Sequence, residues 1–264
     1  MKRVIPLFCV FSFLITSAVL AGPSQKPAYN NIKTVNRSFS PGEKLTYEIS
    51  WSKIVRAGIA VMEVREGKTG DDRPAYELLS STHSTGLVDK FYPVRDNVQS
   101  LVDPEELFSV SFSLRSSRGK RKRERDMLFD RGKGTVRVTL NGESHVYSVP
   151  ERVQDALSSL YYVRTRKDFV VGKPIIVDVH DGGKTWAVEI QTLGRERITT
   201  PAGEFDTIKV MTHPRYEGVF MHRGEIIIWL TDDMRKIPVL MKSTISIGSI
   251  VAMLTEIQTR KDNP

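Results

Sequence analysis

The most chemically suggestive pair in this chain is Asp232-Asp233, two adjacent carboxylates between the apolar run Ile226–Leu230 and the cations Arg235 and Lys236. Two carboxylates facing one cavity can divide the roles of general acid and general base, or share a cation. Neighbours along a strand point to opposite faces, so this chemistry requires the backbone to reverse at the pair. "TDDMRK" has the composition of such a reversal, because Asp starts turns by hydrogen-bonding its own backbone. Pro238 agrees, since it lacks a ladder donor and suits an edge or a bulge. The spacing predicts a hairpin with Arg235 and Lys236 as ion-pair partners at its rim, not a reactive pair.

Other reactive residues do not gather. The five histidines, His83, His145, His180, His213 and His222, are scattered singly, whereas imidazole ligands normally come in sets. His180-Asp181 is the nearest approach to a pair, and it opens the Gly182-Gly183 turn. There is no G-x-S-x-G elbow, no P-loop and no G-x-G-x-x-G. The sequence therefore predicts no catalytic residue, no metal site and no cofactor.

Two features suit binding. "RSSRGKRKRERD" as a strand places Arg121, Arg123 and Arg125 on one face. They would form an anion patch for lipid or lipopolysaccharide headgroups, or a solvated edge whose charges discourage strand-to-strand aggregation. Tyr47, Trp51, Trp186 and Trp229 would line an apolar cavity, or else form ordinary core, as would Phe91, Tyr92, Tyr161 and Tyr162. In strand 226–231 both faces are apolar: Ile226, Ile228 and Leu230 on one, Ile227 and Trp229 on the other. A helix, a ligand or a partner must then cover the second face.

The elements that position these groups are mostly strands. "KLTYEISW", "FSVSFSLRS" and "TVRVTL" alternate apolar and polar residues, the mark of one buried and one wet face. Asn141-Gly142, "HDGGK", "PAGEF" and "IGS" supply tight turns between such runs, which predicts an antiparallel meander. One helix is expected over Glu151–Arg164, where Val153, Ala156, Leu157, Leu160 and Tyr161 form a single stripe.

The N-terminus reads as an export signal. Met1-Lys2-Arg3 is cationic, Val4–Leu20 is largely apolar, and Ala21 offers a cleavage point. The apolar run sits at the short limit for a membrane-spanning helix, and no stop-transfer flank follows it, so cleavage is expected over the alternative, retention as an uncleaved anchor. Pro23 stands where a lipoprotein would need its cysteine. The only cysteine, Cys9, would leave with residues 1–21, which excludes disulfides and thiolate chemistry from the mature chain. Residues 22–40 read as a flexible leader, 41–258 as one β-rich domain and 259–264 as a tail. The formal charge of +8 favours anionic lipid or polymer as partner over nucleic acid for an exported chain.

"FSPGEKLTYEISWSKIVRAGIAVMEV", "FYPVRDNVQSLVD", "DALSSLYYVR", "TPAGEFDTIKV" and "IIIWLTDDMRKIPV…IGSIVAMLTEI" occur in that order. Together they resemble the bacterial exported family DUF3108, a domain of unknown function, from Phe39 to Ile257. The resemblance implies a cell-envelope protein of mostly β structure and brings no catalytic residues with it. Its recurring positions here are Gly42, Gly58, Arg95, Gly203, Asp233, Arg235, Pro238 and Gly248. These are mainly residue types that turns require, and Asp232 joins them as a turn residue.

The expected architecture is an all-β, mainly antiparallel fold: a strongly curved sheet, half-barrel or barrel-like meander with one short helix packed on it. The leading functional expectation is a non-enzymatic periplasmic binding or assembly factor, not a lipoprotein. It would hold a lipid, an acyl chain or a lipidated envelope protein client in a concave apolar face, with no membrane span once the signal is cut. The rivals are a structural or protein-interaction module with a filled core, and an envelope hydrolase without a recognisable motif.

Overall fold

In the computed structural model, residues 36–52, 54–216, 219–220, 226–245 and 248–259 are described. The expected signal, Cys9, most of the leader, His222 and nearly all of the tail lie outside them.

Alternation dictates the first strand. In β1 (Lys44–Trp51), Leu45, Tyr47 and Ile49 are buried, while Thr46, Glu48 and Ser50 are part-exposed. The pattern repeats through β2 (Val55–Lys68), β3 (Pro74–Ser84), β4 (Val94–Val102), β5 (Ser109–Arg118), β6 (Arg121–Asp130), β7 (Thr135–Leu140) and β8 (Glu143–Ser148). Each pairs antiparallel with its predecessor. A second set follows: β9 (Ile175–Asp181), β10 (Lys184–Thr200), β11 (Gly203–Tyr216), the short β12 (Val219–Phe220), β13 (Ile226–Thr231), β14 (Pro238–Ile245) and β15 (Gly248–Gln258). β15 pairs with β1 and joins the two sets into one sheet. Its order is β8-β7-β6-β5-β4-β3-β2-β1-β15-β14-β13-β11-β10-β9, with β12 attached to β11.

The all-β, curved-sheet expectation is met. The sheet is open, for no ladder joins β8 to β9. Side chains draw these two edges together instead. The tip of the β9–β10 hairpin tucks against the inward side of β6 and β8, where Arg125 pairs with Asp181 and the Tyr147 ring lies 5.7 Å from that of His180. Gly182 and Gly183 form this tip at φ +60° and +102°. A Cβ on Gly182 would lie 3.0 Å from the Arg125 guanidinium, and one on Gly183 2.9 Å from the Tyr147 hydroxyl. Gln154 covers part of the outer edge of β9, exchanging backbone hydrogen bonds of 2.8 Å with Asp178 and His180.

The expected helix appears as α2 (Ala156–Arg164), five residues shorter at its start than the stripe implies. Asp155 is the reason. Its Oδ1 accepts from the Leu157 and Ser158 amides at 2.8 Å, and the Ser158 hydroxyl oxygen accepts in return from the Asp155 amide at 3.0 Å. This capping box fixes the first turn, and Gln154 before it is committed to β9.

A second, unexpected helix, α1 (Gly86–Phe91), connects β3 to β4. Six residues are too few to show a helical stripe. Because the strands are antiparallel, α1 shares one rim of the sheet with the β1–β2, β5–β6 and β7–β8 turns. The β2–β3, β4–β5 and β13–β14 turns, and α2, lie toward the opposite rim.

Candidate functional site

Three places on the molecule combine polar groups with unusual burial or exposure. The first is the plug formed by α2 inside the curve of the sheet. Arg164 is fully buried, and its two terminal nitrogens donate to the Glu43 carboxylate at 2.7 and 2.8 Å. It also donates to the Ser38 carbonyl at 3.0 Å and the Arg235 carbonyl at 3.2 Å, so one side chain ties α2 to β1's lead-in and to the β13–β14 turn. Burial opposes the Arg164 charge, and the Glu43 carboxylate outweighs it, so the guanidinium pKa ends raised. Tyr47 donates to the Pro238 carbonyl at 2.9 Å, while Phe39 packs edge-on to Tyr161 at 4.9 Å. Burial raises both the Tyr47 and Tyr161 hydroxyl pKa values, so both stay protonated.

Beside the plug, Asp155 collects Ser100 at 2.5 Å and Ser109 at 2.8 Å, and Ser109 also lies 2.7 Å from Ser158. A carboxylate among three serines suggests nucleophile chemistry, but the geometry uses every group. Asp155 oxygens accept two hydroxyls and two helix amides. Burial raises the Asp155 pKa against these hydrogen bonds. The cluster is a helix cap sealed from solvent.

The second place is the seam between the sheet edges. Arg125 and His180 are 2% and 1% exposed. His180 Nδ1 shares a 3.0 Å hydrogen bond with Thr185, whereas His180 Nε2 and Arg125 Nε have no partner among the described residues. Burial, aided by the Arg125 charge, holds the His180 pKa down at about 4.

The third place is the rim that carries α1. Leu87 and Phe91 of α1, and Ile54 beside the β1–β2 turn, stand in solvent, and Lys90, Lys120, Arg121 and Lys122 are exposed near them. Elsewhere on the outer face, two shallow grooves of about 310 and 370 Å³ cross β2–β7. Their polar walls are largely self-paired, as Gln99 to Glu77 at 2.6 Å and Arg115 to Asp126 at 2.9 Å.

The residues singled out from sequence fall as follows. Asp232 and Asp233 occupy the β13–β14 reversal and diverge. Asp232 pairs with Arg195 at 2.7 Å, while Asp233 Oδ1 accepts from the Thr231 hydroxyl and the Arg235 and Lys236 amides at 2.6–3.1 Å. Arg235 pairs with Asp233 at 3.2 Å, and Pro238 lies at a register shift opposite Leu230. Among the described residues, no three of His, Cys, Asp and Glu converge.

Tyr47, Trp51, Trp186 and Trp229 do not line one cavity. Trp229 neighbours Lys209 and Leu240, and that row runs through Met253 to Glu48, on the face opposite Tyr47. The second apolar face of β13 thus lies away from α2. Lys209 lies 5.1 Å over the Trp229 ring, and Trp229 Nε1 donates to Glu196 at 2.7 Å. Trp51 lies at the α1 rim against Gly248, and Trp186 is buried on β10 opposite Val179.

Arg121, Arg123 and Arg125 also separate. Arg121 is exposed and Arg123 half-buried, while Arg125 turns inward to the seam. Gly42 and Gly203 sit at turns before β1 and at the start of β11. Gly58 does not. It lies within β2, where a Cβ would overlap the His83 carbonyl oxygen, so close strand approach and not a turn requires it. Arg95 likewise sits on β4 and anchors α1 through Asp89. Sequence reasoning missed the Glu43–Arg164 pair, because nothing local links residues 121 positions apart.

A family model described as "Protein of unknown function (DUF3108)" matches residues 46–255. The chain belongs to the DUF3108 family. Curated proteins give no match. Among solved structures, the DUF3108 chain is similar to a β-barrel-like DUF1849 protein from Brucella abortus. The likeness covers 84% of this chain and 98% of that one, at 11% identity and a TM-score of 0.56, and shows a shared fold. It is also similar, at 11% identity, to a Bacteroides fragilis protein described as exported with a YmcC-like fold, over 83% and 96% of the two chains with a TM-score of 0.32. A Parabacteroides distasonis protein described as a lipoprotein aligns over 86% and 100%, at 11% identity and 0.36.

Proposed function

We propose that this DUF3108 protein is a non-enzymatic, exported cell-envelope factor that binds a partner through its outer surface. One observation carries the reading: the hollow of the sheet, where an acyl chain would lie, is occupied by α2 and by the fully hydrogen-bonded Arg164–Glu43 pair. Opening that space would strand a buried ion pair, at a cost of about 3–5 kcal/mol. This favours the interaction module over a lipid holder. The separation of Asp232 from Asp233 and the sealing of Asp155 support a non-enzymatic role. The cationic start and apolar run of residues 1–20 support export, and Pro23 supports a chain without a lipid anchor.

The test is native mass spectrometry with lipid extraction on protein recovered from the envelope, beside crosslinking in the same extract. The reading predicts a lipid-free protein and a defined crosslinked partner. A stoichiometric acyl chain released from the folded protein would restore the lipid-holding reading. Hydrolysis of esters, glycans or peptides that disappears in Asp233→Asn would overturn the non-enzymatic one.

A further inference from the structure

The rim bearing α1 differs from the rest of the outer surface. Ile54 is 85% exposed, Leu87 72% and Phe91 79%. Single exposed apolar residues are ordinary, but these three stand on two connections that adjoin through β2. Leu87, Lys90 and Phe91 are spaced three and four apart, so they share one face of α1.

That face is held outward from behind. Arg95 on β4 donates to both oxygens of Asp89 at 2.5 and 3.1 Å, and Ser84 donates to Asp89 at 2.6 Å. The Thr85 amide donates to the Ala57 carbonyl at 3.0 Å, and Val88 packs against the core. The helix is thus anchored by its polar side, and its apolar residues are left uncovered by design of the contacts, not by looseness.

Cations flank the patch. The Gly119 amide donates to the Pro93 carbonyl at 2.8 Å, and the Tyr92 ring lies against Gly119, which places the β5–β6 turn beside the end of α1. Lys120, Arg121 and Lys122 follow directly, all exposed. With Lys90 they pair with no carboxylate among the described residues. Of the acidic groups near them, Asp89 is held by Arg95, Asp96 by Arg118, and Glu124 lies 4.0 Å from Arg115.

Large apolar side chains ringed by unpaired cations match one kind of surface, a bilayer interface with anionic headgroups. A free phosphate ligand would have no use for Phe91, Leu87 and Ile54, and a protein groove would leave the four cations without a general complement. We infer that this rim docks the protein onto an anionic lipid surface. Ile54, Leu87 and Phe91 enter the boundary between headgroups and acyl chains, and Lys90, Lys120, Arg121 and Lys122 stay with the headgroups. The inference supplies a partner for the outer-surface reading and rests on it for an exported location.

The test is cosedimentation of the full chain with phosphatidylglycerol-containing or pure phosphatidylcholine vesicles, at low and high salt. Two variants are compared with the wild type: Leu87→Ser with Phe91→Ser, and Lys120, Arg121 and Lys122 all changed to Ser. All five positions are exposed, so thermal melts are expected to be unchanged, and an N-terminal apolar segment contributes equally to every sample. The wild type is expected to prefer anionic vesicles and to be released by salt. The apolar variant is expected to bind at least about tenfold more weakly. The charge variant loses roughly fivefold per cation, about a hundredfold in all, and its preference for anionic lipid. Equal binding of the wild type to both vesicle types, or both variants binding anionic vesicles like the wild type, overturns the inference. If the variants then lose a crosslinked protein instead, the rim is a protein interface. Failure of the outer-surface reading itself would show separately, as an acyl chain retained inside the protein.

Discussion

Replacing Arg164 with Met tests how far the interior depends on one buried charge pair. The substitution keeps an unbranched chain of similar reach and leaves the Glu43 carboxylate, 4% exposed, without its cation. Two bonds of 2.7 and 2.8 Å to Glu43 are lost, along with those to the Ser38 and Arg235 carbonyls. Stranding one member of a buried pair costs about 3–5 kcal/mol, a large share of a typical domain's stability. Glu43→Gln keeps an acceptor for Arg164 but leaves the cation uncompensated, and a loss of about 2–4 kcal/mol is expected. The double variant removes both charges, so it is expected to be less destabilised than the sum of the singles by about 2–3 kcal/mol. Urea unfolding at neutral pH, followed by tryptophan fluorescence, measures all four proteins. A loss below about 1 kcal/mol in Arg164→Met, or strict additivity in the cycle, would refute the coupling of α2 to β1 through this pair.

The seam carries a pH dependence. His180 is neutral in the fold with a pKa of about 4 and gains a proton near 6.5 when unfolded, so stability is full above pH 6.5 and is lost as pH falls toward 4. The loss by pH 4.5 is roughly 2.5 kcal/mol; urea titrations of His180→Gln at neutral pH and at pH 4.5 are expected to lack that share of the slope, and equal slopes would contradict it. Gly58→Ala is expected to cost more than about 3 kcal/mol, because the clash is with a backbone carbonyl, while Gly70→Ala, with nothing within 4 Å, stays within about 0.5 kcal/mol. Thermal melts separate the two. In the β13–β14 turn, Asp233→Ala removes three acceptor contacts and is expected to cost about 1–2 kcal/mol, whereas Asp232→Ala loses one exposed ion pair and about 0.5 kcal/mol or less. Equal losses in chemical denaturation would contradict the assignment of distinct roles.

Local pattern made the strands legible. Alternation in "KLTYEISW" and "TVRVTL", and turns such as Asn141-Gly142, depend on neighbours a few residues apart, and each appears where the sequence places it. The β13–β14 reversal was legible for the same reason. What the sequence did not disclose depends on register and closure. Alternation says that Trp229 and Tyr47 each have a side, but only the pairing of β11, β13, β14 and β15 decides that the sides are opposite. Arg125 shares the period of Arg121 and Arg123, yet it is buried because the β9–β10 tip folds over that end of β6. One available signal was overlooked at Gly58. A glycine inside an otherwise good strand pattern marks a bulge, a bend or close backbone approach. For α1 there was no adequate signal, since Leu87 and Phe91 face solvent and break the rule that a helix buries its apolar face.

The central claim is that α2 is a fixed part of the interior and not a lid. Native-state hydrogen exchange of the Ser159–Arg164 amides, with and without lipid vesicles, tests this most directly. A fixed plug exchanges only by global unfolding, so these amides are expected to match the slowest amides of β1 and β3 in opening free energy, and to keep that match when lipid is added. Faster exchange in α2 than in those strands, increased further by lipid, would show a helix that leaves its seat to admit an acyl chain.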